Sequence, residues 1–495
     1  MRKKVIIPNR GVVALDIIDA YKALGFETIL LHSPEDSNSL PVKLVEKSFK
    51  FYSSRLEDSY NDMETIIDKA LELQADYIHP GYGFLAESWE FAELCEQNNI
   101  KFIGPNSKVL KKVRDKIGLR KIASGLGIKI VPHSDLIKTP VSLDFLPSDD
   151  KYPMLIKPLN GSGGIGIRLV DYKKDAQERI NKMLKQEENQ RHGLFLEEFF
   201  PHAHHIELPF IRDVQGNTLF PPEIESSIQR RFQKIFQESP SPNLTDSLRA
   251  ALYRDAKRLI DEIDFVGLGY VEFIVNKGTA YFSEINPSFQ INTLLPELHI
   301  IANFMKKHFA ICNGELLHDV KGVEIIQPRL HGILLSVMAE NPFDNFQPSS
   351  GVVTEFYNYS CIRNMFKTSL YTGAKVSPLY DPYIGKIATV SYRRDHSLNG
   401  LKNFLNNIII RGIKTNIPFL KDLLRSKSLE KGETIIDFVN LKHNFGTRKK
   451  SEEDIATATA LLSAAFHMDN MKKNYKEKLE TMKQPGFFKR LFTRM

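Results

Sequence analysis

Hydrophobic positions along the N-terminal part of the chain switch between two periods. Val5-Ile6-Ile7 is a short continuous apolar run, and Val13, Ile17, Ala20 and Leu24 then recur at helical spacing until Gly25. The first pattern predicts a buried strand, the second an amphipathic helix with a glycine stop. The alternation repeats. Thr28–Leu31 reads as a strand, Met63, Ile66, Ile67 and Ala70 as a helix face, and Asp76–His79 as a strand. Glu87 to Gln97 reads as a helix, and Lys101–Ile103 as a further strand. Such a βαβ rhythm predicts an open parallel sheet with helices on both faces, whose loops at the carboxyl strand ends carry Gly11, Gly81 and Gly83.

From about Arg114 the pattern changes. Met154–Lys157, Ile167–Val170, Leu194–Glu198, Ile206–Ile211, Tyr270–Val275 and Ala280–Glu284 read as strands, with helices near 174–186 and 244–263. Short glycine turns at Gly216 and Gly278 predict an antiparallel α+β unit. A third unit, from about Pro328 to Phe445, mixes short strands with turns such as Pro348-Ser349-Ser350-Gly351. Lys449 to Leu479 reads as a charged helix ended by Pro485-Gly486, and the final residues Phe487 to Phe492 are basic and aromatic, read as a frayed tail tip ahead of the alternative, a partner or membrane-surface foot. The chain is thus expected to be a multi-domain α/β and α+β protein.

Composition narrows the function classes. The chain has 495 residues, 42% hydrophobic and 26% charged, enough for several domains without a bias to disorder. A net charge of +7 spread along this length suits an anionic small ligand and does not indicate a nucleic-acid groove. Cys95, Cys312 and Cys361 form no CxxC pair, which argues against a zinc site or disulfide framework and for a reducing, cytoplasmic setting. No apolar run is long enough for a signal-peptide core or a membrane span.

The strongest candidate chemistry is Lys157 followed by Asn160-Gly161-Ser162-Gly163-Gly164-Ile165-Gly166. Glycines let backbone N–H groups approach phosphate oxygens, and the lysine adds a compact positive charge. No GK[ST] follows, so the loop is not a Walker A motif. Glu272 on one expected strand and Glu284 with Asn286 on the next offer hard oxygen ligands of the kind that hold Mg²⁺ or Mn²⁺ beside phosphates. Their apolar flanks, Val271, Phe273, Phe282 and Ile285, set them apart from an exposed polar face. His79-Pro80-Gly81-Tyr82-Gly83 predicts a rigid loop shaping a crevice. His205 and Glu207 share one strand face and read as a hydrogen-bonded pair near a nucleotide. Met482-Lys483 lies at the end of the charged helix without a β-rich surround, so it is not read as a biotin attachment site.

Together with Asn9-Arg10-Gly11, Phe102-Ile103-Gly104-Pro105, Asp115-Lys116, Gln229-Arg230-Arg231, Gln233-Lys234, Glu284-Ile285-Asn286, Tyr383-Ile384-Gly385-Lys386 and Gly412 to Asn416, these motifs resemble the biotin carboxylase family of ATP-grasp enzymes. The resemblance implies a Rossmann-like domain (1–113), an ATP-grasp domain (114–315) with a mobile lid near 131–203, a C-terminal domain (328–445) and a helical tail (446–495). It implies ATP as cofactor, with Lys116, Lys157, Gly161, Gly163 and Gly164 at the phosphates. Glu197 falls at the adenine end, and His205 and Gln229 at nucleotide contacts. Glu272, Glu284 and Asn286 become the metal group, and Lys234 and Gln290 the bicarbonate pocket. The family phosphorylates bicarbonate and transfers CO₂ to biotin on a carrier. This chain has no biotinyl or carboxyltransferase domain, so carrier and transferase are expected on separate chains, with a homodimer common in the family.

Departures concentrate in one place. After Asn286 the family reads Thr-Arg-x-Gln-Val-Glu-His, whereas this chain reads Pro287-Ser288-Phe289-Gln290-Ile291-Asn292-Thr293. Ser288 stands for the bicarbonate-binding arginine, Asn292 for the general base, and Ser336 for the arginine at the biotin enolate. Glu198 and Phe232 replace a lysine and a histidine. An amide cannot accept the bicarbonate proton, and serine has neither charge nor a bidentate fork. The expectation is an ATP- and Mg²⁺-binding protein with impaired or lost biotin carboxylation, serving as a regulatory or scaffolding partner of a carboxylase assembly. The alternatives are a ligase for another carboxylate, and a working biotin carboxylase subunit with groups supplied by Arg329 or Arg363.

Overall fold

The computed structural model describes residues 2–441, apart from Ser162, Ile165, 300–303, Asp319 and 360–362. The expected tail helix, Pro485-Gly486, Met482-Lys483, the basic aromatic end and Cys361 lie outside the described residues.

The N-terminal strands Lys47–Lys50, Glu27–His32, Lys4–Ile7, Tyr77–Ile78 and Lys101–Phe102 form one parallel sheet in that spatial order. Successive side chains point to opposite faces. Ile6, Ile29 and Leu31 therefore pack with Ile66, Ile67, Phe91 and Cys95, while Val5, Ile7 and Leu30 pack with Ile17, Ile18 and Tyr21. Burial on both faces is why these strands read as continuous apolar runs. The edge strand Lys47–Lys50 gave no such signal, because its lysines stay exposed where a sheet edge meets water. The helix expected from Glu87 starts instead at Trp89, where Ser88 Oγ accepts from Phe91 N at 3.1 Å. Glu87 ends the preceding 3₁₀ turn and turns its carboxylate toward Ser288. His79 is buried and accepts from Gly81 N at 3.1 Å, bracing the loop as a structural histidine.

Strands Arg168–Val170, Met154–Pro158 and Leu194–Glu198 form a separate antiparallel sheet, with Ile137, Met154, Ile156, Val170, Ile180 and Leu196 as its own core. The glycine loop connects the first two of these strands at one end.

Among the described residues the largest sheet has ten strands. Its main path runs from Thr279–Asn286 through Gly267–Asn276, His204–Arg212, Ile224–Arg230 and Gln233–Ser239 to His331–Met338, Tyr383–Ser391 and Asn364–Thr368. The strands of the chain's last third thus extend the same sheet. Ile206, Leu208, Phe210, Val271 and Phe273 face a core shared with the helices Lys116–Gly125 and Asp246–Glu262. By strand period the opposite face receives His205, Glu207 and Glu272, and cross-strand register sets Glu272 beside both Glu207 and Glu284.

Candidate functional site

Two lysines approach the crevice from different elements. Asp115 Oδ1 caps the helix Lys116–Gly125 by accepting from Gly118 N at 2.9 Å. This places Lys116 in the first turn, where Nζ meets Gly161 O at 3.0 Å and Glu284 Oε2 at 2.8 Å. Lys157 leaves the strand before the glycine loop and pairs with Glu197 Oε1. Gly163 and Gly164 adopt φ of 60° and 75°, and a Cβ on Gly164 would stand 2.8 Å from the carbonyl oxygen of Phe232. The loop therefore lies against the tight turn at Arg231-Phe232, itself left-handed at φ 50° and 64°.

One turn after Lys116, on the same helix face, Arg120 donates through Nη2 to Glu197 Oε2. Arg120 is 1% exposed, and its Nε and Nη2 lie 3.3 Å from Ser283 O. Burial alone would push the Glu197 carboxyl up, but Lys157 and then Arg120 outweigh it and hold it at about 2. The sequence reading did not single out Arg120. Its only signal was a charged residue in register with Lys116 on a helix whose Leu119 and Ala123 are apolar and buried.

Glu272 is the hub of the second cluster. Its Oε1 accepts from Lys234 Nζ and Asn286 Nδ2, both at 2.6 Å, and its Oε2 meets His205 Nε2 at 2.7 Å. Gln229 Nε2 donates to His205 Nδ1 at 2.7 Å, which leaves the proton on Nε2 to donate to Glu272. Lys234 also pairs with Glu207 at 2.8 Å. Burial opposes ionisation of Glu272, yet Lys234 and His205 hold it far below the usual carboxylate range. Burial likewise opposes charge on Lys234, which Glu207 and Glu272 raise well above the ordinary lysine range. The Glu284 carboxyl is lowered by Lys116 against burial and against the neighbouring Glu272.

Among the described residues no three His, Cys, Asp or Glu side chains cluster as a self-sufficient metal site. The donors that do converge are two register-paired carboxylates and one amide, Glu272, Glu284 and Asn286. Two lysines balance their charge, and their hard oxygens suit a divalent cation that draws its remaining ligands from phosphate and water. Lys116, Gly161, Glu284 and Asn286 line one crevice together with Glu87 and Arg114.

The Gln290 end is wired differently. Gln290 Nε2 donates to Ser288 Oγ at 3.0 Å, and Ser288 Oγ donates to Glu87 Oε1 at 3.0 Å. Arg114 reaches the other oxygen of Glu87 at 3.7 Å. Burial raises the Glu87 carboxyl despite Arg114. Asn292 Nδ2 donates to Glu207 Oε2 at 3.1 Å, while its buried Oδ1 has no partner among the described residues. Ser336 is buried opposite Lys386, whose Nζ is committed to Asp16 at 2.8 Å and Ile291 O at 3.1 Å. Arg329 and Arg363 are exposed, whereas Ser288, Gln290 and Asn292 are 6%, 8% and 2% exposed. Lys234 and Gln290 are not hydrogen-bonded to each other; Asn292 joins Lys234 through Glu207.

Three family profiles match the chain in order: "Biotin carboxylase, N-terminal domain" over 1–110, "Carbamoyl-phosphate synthase L chain, ATP binding domain" over 115–320, and "Biotin carboxylase C-terminal domain" over 335–441. Biotin carboxylase 1 of Bacillus subtilis is 34% identical over 442 residues, 88% of this chain and 97% of that protein. The biotin carboxylase of Pseudomonas aeruginosa is 32% identical over 455 residues, covering 89% of this chain and 99% of that protein. The biotin carboxylase domain of Hydrogenobacter thermophilus 2-oxoglutarate carboxylase, a dimer solved with MgADP, ADP and bicarbonate, is 30% identical. It superposes with a TM-score of 0.82 over 89% of this chain and 97% of that one.

Proposed function

This chain belongs to the biotin carboxylase family, and from that premise we propose that it binds ATP with Mg²⁺ but carboxylates biotin poorly or not at all. The observation that carries the reading is the contrast between the two ends of one cleft. At one end Lys116, Lys157, the glycine loop, Glu272, Glu284 and Asn286 converge as a cationic and oxygen-donor set. At the other, Gln290 donates to Ser288, Ser288 to Glu87, and Asn292 to Glu207.

In this reading Lys116 and Lys157 hold phosphate oxygens, and the glycine backbone supplies further N–H donors. Glu272, Glu284 and Asn286 would hold the metal, which when bound neutralises charge on the phosphates. His205, oriented by Gln229, and Lys234 keep Glu272 ionised and aimed at the cleft. Bicarbonate activation requires a base and cations on the anion. Asn292 cannot take the proton. Lys234 is charged and held by two carboxylates, so it is not a proton acceptor near neutral pH. Losing one oxyanion-stabilising group typically costs on the order of 100- to 1000-fold in rate.

A retained nucleotide site without efficient carboxylation fits a regulatory or scaffolding role beside a carrier and a carboxyltransferase on other chains. The rival reading, an active biotin carboxylase, is favoured by the identity to the Bacillus protein over nearly its whole length. One experiment separates them. Calorimetry should detect MgATP binding, and phosphate release with ATP, Mg²⁺, bicarbonate and free biotin should stay at background. Biotin-dependent turnover at ordinary enzyme rates overturns the proposal.

A further inference from the structure

Glu197 holds two cations at once, one on each oxygen: Lys157 on Oε1 and Arg120 on Oε2. The two differ in freedom. Arg120 is 2% exposed along its side chain, is anchored on Ser283 O, and lies over the Phe195 ring with its guanidinium carbon 5.2 Å from the ring centre. Lys157 is 15% exposed and stands at the mouth of the glycine loop. Arg120 also carries a buried Nη1 without a hydrogen-bond partner among the described residues.

From this geometry we infer that Arg120 is a positioning residue: a fixed counter-charge for Glu197 that releases Lys157 to a bound phosphate. The inference rests on the reading of Lys157 as a phosphate cation. Glu197 is 2% exposed, so a lysine that left it without replacement would strand a buried carboxylate, at a large penalty. With Arg120 in place the carboxylate keeps a partner. The spare Nη1 completes a two-pronged guanidinium–carboxylate pair, the geometry that arginine forms and lysine cannot. An otherwise unexplained buried N–H thereby acquires a purpose: it is the donor that Glu197 Oε1 takes up when Lys157 moves.

The test compares native protein with Arg120→Met and Arg120→Lys by calorimetric titration with adenosine, AMP, ADP and ATP in Mg²⁺, with thermal unfolding as a fold control. The expected result is a loss that grows with the number of phosphates. Arg120→Met should weaken ATP binding on the order of tenfold while adenosine changes by less than about twofold, with Arg120→Lys between. Adding Glu197→Gln to Arg120→Met should recover ATP affinity, because Lys157 then has no carboxylate to hold it. Equal losses for adenosine and ATP, or no loss for ATP, overturn the inference. If Arg120→Met does not fold, Glu197→Gln is compared with Glu197→Gln/Arg120→Met. Equal ATP affinity supports the inference, and a further loss of roughly tenfold overturns it. Native protein that binds no MgATP would instead overturn the nucleotide-site reading itself, and the inference with it.

Discussion

Asn292 Nδ2 sits 3.1 Å from Glu207 Oε2, so an amide leans on a buried carboxylate that already holds Lys234 at 2.8 Å. Replacing that amide by Asn292→Glu would add a third carboxyl group beside a lysine that already serves Glu207 and Glu272. Like charges at this distance raise the affinity for a proton. The introduced carboxyl should titrate above the usual carboxylate range. A group whose folded pKa is raised costs stability above its unfolded value and recovers it as pH falls. Asn292→Glu should therefore lower stability by about 1–3 kcal/mol at pH 7 and by less near pH 5, measured by urea denaturation at both values. An equal penalty at both would mean that the cost is steric.

That carboxyl should not restore carboxylation alone. In the proposed reading Ser288 and Ser336 leave the anion and the enolate without guanidinium groups, and groups that act as a unit are strongly non-additive. The triple variant Asn292→Glu, Ser288→Arg, Ser336→Arg should raise biotin-dependent phosphate release by roughly 100-fold or more over native, each single change giving little. Glu87, which lies 3.0 Å from Ser288 Oγ, offers the arginine of Ser288→Arg a counter-charge. No gain in the triple variant, with the fold intact, would show that these three positions are not what limits the native protein.

Much of this arrangement could be read ahead of the structure, for identifiable reasons. The parallel strands announced themselves because both faces are buried, and the metal-type residues because Glu272 and Glu284 interrupt apolar strands. The glycine loop stood out because Gly164 needs both a positive φ and close approach to Phe232. Relationships between distant segments carried no local signal. Glu87 and Ser288 meet across 201 positions of sequence, and Arg120 and Glu197 across 77, and no periodicity encodes that. The edge strand Lys47–Lys50 escaped for the opposite reason: its polar edge resembles a loop.

Removing the hub carboxylate should disconnect metal from nucleotide. Glu272→Gln takes the shared anion from Lys234, His205 and Asn286 together. ATP affinity should lose its dependence on Mg²⁺, with metal-dependent binding weakened on the order of 10- to 100-fold, checked by titrating ATP with and without Mg²⁺. Retained Mg²⁺ stimulation would remove Glu272 from the metal group.

Glu197 should leave a signature in acid. Its carboxyl is held at about 2 by Lys157 and Arg120, against an ordinary value of 4.5. A depressed folded pKa stabilises fully above the unfolded value and is lost as pH falls from about 4.5 toward 2. The linkage is worth about 3 kcal/mol at neutral pH. Glu197→Gln should be less stable at pH 7 and should lose less stability than native between pH 5 and pH 3, followed by urea midpoints. Parallel pH profiles would mean that Glu197 is not the group being protonated.

The pair Asp16 and Lys386 should be asymmetric under mutation. Lys386 is 3% exposed along its side chain, and among the described residues its ion pair is with Asp16. Asp16 has a second cation, Lys367, at 2.6 Å. Burial would raise the Asp16 carboxyl, but Lys386 and Lys367 outweigh it and hold it below its ordinary value. Asp16→Asn thus strands a buried ammonium, whereas Lys386→Met leaves the carboxylate with Lys367 and removes only the donor to Ile291 O. Stranding a buried charge costs roughly 3 kcal/mol or more, and losing one hydrogen-bond donor about 1–2 kcal/mol. Urea denaturation should therefore rank Asp16→Asn below Lys386→Met, with the double variant close to Lys386→Met alone. The reverse order would mean that the bond to Ile291 O, set between Gln290 and Asn292, matters more to the fold than the buried charge.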